Sequence, residues 1–294
     1  MADAPEAAGP ALALAAALLA VDPQGLGGAR LMGPAGPVRD AWLEALRTLL
    51  PEGTPWRRLP QHAGEDRLAG GLDLQATLAA GRPVLQQGLL AAADGGIVVA
   101  AMAERLAAGT AAQVAAALDH GQVRIERDGL SAVQPARVAL IALDEAEGDD
   151  HPLAPALADR LALWLPLRGL GWRSAPQPAE MADWAAAVAE ARARLPRVEV
   201  PDDLVAALAA ATLALGVDSP RAAWAAVADG TVDVVGSDHA PHSRAAKERP
   251  WPDTAAGLTG VQTIVPLMLD HVSAGRLSLP RLADLMCAGP ARVY

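Results

Sequence analysis

Two short, continuously apolar runs, Gly96 to Ala101 and Val138 to Leu143, and a short strand-like run, Gly28 to Met32, that carries Arg30, are separated by stretches whose apolar residues recur at helical spacing. A strand that is apolar throughout is buried on both faces, and such strands alternating with helices form a parallel sheet covered on each side. The helices can be read between them. Asp40 to Leu50 carries Trp42, Leu43, Leu46 and Leu50; Gly71 to Ala80 carries Leu72, Leu74 and Leu78; Thr110 to Leu118 follows. Val123 to Arg127 and Leu130 to Val133 flank Asp128-Gly129, a dipeptide suited to a tight hairpin turn. Pro51 to Pro60, around Trp56, reads as punctuation. The expected fold is a three-layer α/β/α domain over residues 1–170.

A core of that size has its material. The 294 residues are 52% hydrophobic, with Ala, Leu and Val in place of Phe, which is absent. A net charge of -10 argues against nonspecific nucleic-acid binding. One cysteine, Cys287, rules out an internal disulfide and a cysteine-built zinc site, and fits a reducing cytoplasm. Ala11 to Val21 lacks the basic front end of a secretory signal and is too short for a membrane span. It reads as a buried first helix ending at Asp22-Pro23. A Pro/Gly-punctuated stretch from Pro166 to Pro178 marks a boundary. Ala179 to Leu195 and Pro201 to Gly216 then read as helices, Thr231 to Val235 as a strand, and Gly257 to Tyr294 as two helices around Gly275.

The first strand runs into Gly33-Pro34-Ala35-Gly36-Pro37-Val38-Arg39-Asp40. A strand, a glycine loop and a helix in that order suit phosphate binding, and a working loop reads G-x-x-x-x-G-K-[ST]. Gly33 opens the loop and Gly36 lies within it, but Val38 stands at the second glycine, Arg39 at the lysine and Asp40 at the magnesium-holding hydroxyl. Val38 is expected to crowd the approach to the backbone amides, and Asp40 to repel phosphate.

Residues 9–221 resemble the AAA+ module of the magnesium chelatase D subunit. The segments that carry the likeness are Gly25-Leu26-Gly27-Gly28, the loop, Arg67-Leu68-Ala69-Gly70-Gly71-Leu72-Asp73-Leu74, Gly81-Arg82-Pro83-Val84, Gly88 to Gly96, Ile125 to Gly129 and Ala158-Asp159-Arg160-Leu161. The resemblance implies a degenerate AAA+-like α/β domain at 1–170 and a helical lid at 171–222. In the ATP-hydrolysing I subunit of that family, a buried strand ends in Asp-Glu. Here Ile97-Val98-Val99 runs into Ala100-Ala101-Met102-Ala103, with Glu104 the first carboxylate. The resemblance therefore implies a non-hydrolytic platform whose ring stacks on the I-subunit ring and relays hydrolysis to the large porphyrin-binding subunit, for Mg2+ insertion into protoporphyrin IX. The chain itself would need no cofactor, ATP and Mg2+ acting through the partner, and self-assembly into a homo-oligomer is compatible with it. Arg160 matches a subunit-interface arginine and Arg221 the sensor arginine of the lid; each competes with pairing to a local carboxylate.

Residues 223–294 resemble instead the end of a dihydroorotase-type amidohydrolase, a TIM-barrel family. The motif is Asp229-Gly230-Thr231-Val232-Asp233-Val234-Val235-Gly236-Ser237-Asp238-His239-Ala240-Pro241-His242, followed by Gly257-Leu258-Thr259-Gly260. The resemblance implies Asp238 as the base toward a metal-bound water, His242, Gly257 and Gly260 as substrate contacts, and zinc as the metal of this alternative. A zinc held by Asp238, His239 and His242 competes with a solvated, half-formed motif. The family's His-x-His pair has no counterpart, and the only lysine, Lys247, lies outside any strand. Two family-like segments thus meet near Ala222-Ala223. The sequence leaves three readings: a chelatase platform, an incomplete cyclic-amide hydrolase, and a fused remnant with neither activity.

Overall fold

In the computed structural model nine strands are present among the described residues: β1 (Gly28–Met32), β2 (Trp56–Leu59), β3 (Gly70–Leu72), β4 (Leu85–Gln87), β5 (Ile97–Ala100), β6 (Gln122–Arg127), β7 (Leu130–Pro135), β8 (Ala139–Asp144) and β9 (Leu163–Pro166). The structure describes residues 8–127, 130–147, 152–201, 260–273 and 275–293, with Leu204, Ala207, Val227, Gly230, residues 232–237, Ser243, Ala245 and Arg249. Two compact units are separated at Val198/Glu199.

The first unit is built on a wholly parallel sheet in the order β2-β5-β8-β1-β9. Its central strands bury both faces, as their unbroken apolar sequence requires. In β5, Ile97 and Val99 face one core while Val98 and Ala100 face the other; β8 divides Ile141 and Leu143 from Leu140 and Ala142 in the same way. Gly28 is needed at the start of β1: a Cβ there would lie 1.9 Å from the Leu140 carbonyl oxygen.

The described helices are α1 (Ala8–Val21), α2 (Pro37–Leu49), α3 (Glu65–Ala69), α4 (Leu74–Ala80), α5 (Ala108–His120), α6 (Pro155–Ala158), α7 (Pro178–Arg194), α8 (Ile264–Ser273), α9 (Leu279–Ala283) and α10 (Gly289–Val293). The first core joins α1, α2 and α7 to the sheet; α3, α5 and α6 join the second. On α2, Val38, Trp42, Ala45, Leu46 and Leu49 are buried at helical spacing. The Trp42 indole donates to the Leu12 carbonyl at 2.9 Å, so the largest core side chain of α2 also satisfies its polar atom. Arg192 of α7 donates from Nε to the Ala20 carbonyl at 3.1 Å and from Nη2 to the Leu49 carbonyl at 3.2 Å. It thereby serves the last turns of both α1 and α2, where carbonyls lack helical partners.

The second unit has a smaller core of Met268, Leu277, Leu282 and Leu285, with Val227, Val232 and Val235 against it. Arg281 organises it, donating to the Val227 carbonyl at 2.9 Å, to the Val232 carbonyl, and to Asp284 at 2.6 Å. Asp284 also accepts from Arg292 at 2.8 Å, and that hydrogen bond leads the causes holding its carboxyl below the ordinary value.

Several sequence expectations change. Trp56–Leu59, read as punctuation, is the edge strand β2, and β9 is a second edge strand that the sequence pattern did not reveal. The helix expected over Gly71 to Ala80 is shortened: Gly70–Leu72 pairs antiparallel with Leu85–Gln87, and α4 lies between them. Leu74 and Leu78 there are 68% and 84% exposed rather than core. Residues 232–235 form no strand; the Val235 amide donates to Leu285 instead. Finally, α7, read as the opening helix of a lid, packs in the first unit. The expected helix over Pro201 to Gly216 lies almost wholly outside the described residues.

Candidate functional site

Ligands of open parallel sheets bind beyond the carboxyl ends of the strands, where chain connections diverge. Here that place is the loop after β1, flanked by β8 and β9. The loop proper is short, Gly33 to Gly36, because α2 already begins at Pro37. The Gly33 amide donates to the Asp144 carbonyl at 2.9 Å, and the Asp40 amide is used within α2, on the Gly36 carbonyl at 3.1 Å. Pro37 offers no amide, so the helix start presents one donor fewer than usual. Asp40 is exposed in the first turn, where its charge favours the helix and disfavours an anion. Val38 corrects the sequence expectation: its side chain is buried in the core beneath the loop and does not crowd the mouth.

The strand end beside the loop was missed as a site. β8 finishes at Asp144, in register with Met32 of β1, and continues into Glu145, Ala146 and Glu147. Each acid meets an arginine. Asp144, 3% exposed, accepts from Arg30 Nε at 2.6 Å, while Arg30 lies 4.8 Å from the Trp164 ring centre. Glu145 Oε1 accepts from Arg39 Nη1 at 2.7 Å. Glu147 accepts from Arg168 at 3.0 Å, and Arg168 also donates to the Ala146 carbonyl. Glu104, buried after β5, accepts the Glu145 amide at 3.2 Å. The signal was present in the sequence: an acidic pair directly follows an unbroken apolar strand, the same rule that was applied to β5.

The residues present do not fit a nucleotide phosphate with magnesium. The loop's cation is engaged by Glu145. The carboxylates at the strand ends, Asp144, Glu145 and Glu104, hold arginines or backbone amides. Among the described residues no group of three or more His, Cys, Asp or Glu side chains could hold a metal.

The remaining candidates are dispersed. Arg160 makes a two-pronged pair with Asp119 at the end of α5, Nε to Oδ1 at 2.9 Å and Nη2 to Oδ2, and donates to the Ala156 carbonyl. Its guanidinium is thus committed within its own unit. Arg221, Asp238, His239, His242 and Gly257 lie outside the described residues. Gly260 is described: a Cβ there would fall 2.4 Å from the Ser237 carbonyl oxygen, so the two pieces of the terminal motif touch at backbone level. Among the described residues no helix is long and apolar enough to cross a membrane.

No family model matches the chain. Over 223 residues it is 40% identical to the magnesium-chelatase 60 kDa subunit of Cereibacter sphaeroides, covering 76% of this chain and 36% of that one. The chain therefore spans about a third of the length of that relative. A separate segment is 46% identical over 68 residues to the dihydroorotase of Halobacterium salinarum, covering 23% of this chain and 16% of that enzyme. Among solved structures, a complex of the BchI and BchD subunits of magnesium chelatase, built on a cryo-EM reconstruction, aligns with TM-score 0.45 and 28% identity over 67% of this chain and 78% of that one.

Proposed function

We propose that this chain, 40% identical over 223 residues to a magnesium-chelatase 60 kDa subunit, serves as a non-hydrolytic AAA+-type platform in Mg2+ insertion into a porphyrin. Its partner would be the ATP-hydrolysing I subunit, with the large porphyrin-binding subunit beyond it. ATP and Mg2+ would act in that partner, and this chain would contribute a surface rather than a reaction.

The observation that carries the reading is the 2.7 Å pair between Arg39 and Glu145. The side chain that should grip phosphate is neutralised from within, and no Asp-Glu pair closes β5 to hold magnesium or activate water. Fold and loop are kept while the hydrolytic groups are replaced, which is what a scaffold needs.

The test is assembly. With I subunit and ATP, the chain should co-elute as a larger complex in size exclusion, and alone it should show no ATPase activity. A monodisperse chain that never joins the I subunit would support the remnant reading. The amidohydrolase alternative rests on the contact between Gly260 and the Ser237 backbone. Zinc-dependent hydrolysis of dihydroorotate that vanishes in Asp238→Ala would restore it.

A further inference from the structure

We infer that Glu145 is the resident anion of the loop: its carboxylate holds Arg39 where a polyphosphate would otherwise bind, and so keeps the site closed to nucleotides. The inference rests on the platform reading of this unit and says how its site is held shut.

Arg39 rises from the first turn of α2 with its side chain only 11% exposed. A guanidinium so far removed from water must have an acceptor. Glu145 supplies one, at Nη1 only. Arg39 Nε is buried and has no hydrogen-bond partner among the described residues. The cation therefore keeps an unused donor, and a bidentate acceptor such as phosphate would use it better.

The carboxylate is held in place. Arg30 fixes Asp144 on one side; Arg168 grips Glu147 and the Ala146 carbonyl on the other; Glu104 receives the Glu145 amide. With its backbone tied at these points, Glu145 keeps its carboxylate near Arg39 at little entropic cost. An entering polyphosphate would have to break the pair and then lie beside Glu145, the buried Glu104 and the exposed Asp40, all of like charge.

Titration calorimetry of the full chain with sodium tripolyphosphate, then with ATP, tests this. The native chain should give no saturable binding. Glu145→Gln keeps the shape and removes the charge, and should bind tripolyphosphate saturably, at least roughly tenfold more tightly than the weakest affinity the titration detects. Adding Arg39→Ala should abolish that gain. Glu145→Asp, which withdraws the carboxylate by one methylene, should fall between, and it decides the matter alone if circular dichroism shows Glu145→Gln unfolded. Affinities equal to the native chain in the folded variants, or a gain that survives loss of Arg39, would overturn the inference. No partner subunit is present, so a failure of ring assembly counts against the proposed function only, and an unchanged affinity against this inference only.

Discussion

Residues 97–100 and residues 232–235 are near-equals as sequence: Ile-Val-Val-Ala and Val-Asp-Val-Val, both rich in β-branched residues. The first is a central strand, β5, hydrogen-bonded on both sides; the second is not a strand and passes its Val235 amide to Leu285. Strand propensity expresses packing against neighbours more than a backbone preference. β5 has β2 and β8 beside it and helices on both faces. Residues 232–235 pack on a core of four buried apolar residues set in helices and turns. A segment of strand-like composition needs neighbouring strands before it can be a strand.

The difference in core size between the units can be broken experimentally. The largest effect is expected for Trp42→Ala, which empties the centre of the α1–α2 contact and removes the indole hydrogen bond to the Leu12 carbonyl; it should cost about 3–5 kcal/mol in urea unfolding of the first unit. Asp144→Ala should follow at about 3 kcal/mol, since it leaves Arg30 unpaired beside a buried strand end. Leu285→Ala, although its side chain is fully buried, should cost only about 2 kcal/mol, because a small helical cluster can collapse around the gap. Hydrogen exchange resolved by segment would show which unit each change loosens. A Leu285→Ala cost equal to that of Trp42→Ala would erase the distinction.

The smallest effect concerns pH. The Asp284 carboxyl is held below its ordinary value of 3.8, first by the hydrogen bond from Arg292. A depressed carboxylate stabilises the native state above its unfolded value, and that contribution is lost as pH falls from there through the native value. Exchange in the second unit should therefore quicken on acidification below about 3.8, and Arg292→Ala should flatten the response. Asp94 shifts in the same direction in the first unit: burial there opposes the charge, but Arg137, through its amide and guanidinium, outweighs it.

Sequence pattern located β1, β5, β8, the β6–β7 hairpin and helices α1, α2 and α5, because each is an apolar run or a clean periodicity bounded by turn residues. It missed β2 and β9 because edge strands need bury only part of their length: Arg57 and Arg58 of β2 face solvent, and Trp164 of β9 is half exposed. It misread Gly71 to Leu72 because leucines at helical spacing also suit a hairpin with a short helix in its bend. At the site, the replaced loop residues were legible. The partner of Arg39 was not, because Glu145 stands 106 positions away and only strand adjacency brings the two together.

The double grip of Arg192 on α1 and α2 bears on how the molecule can be dissected. Excising a fragment at the proline-rich stretch near residue 170, where composition changes most visibly, would remove α7 and with it the donor that serves two carbonyls on separate helices. The surface it uncovers would include residues packed around Met181 and Val188. A soluble fragment carrying the sheet should run through Val198, and the helix that looks like the first piece of the next domain is the clasp of this one.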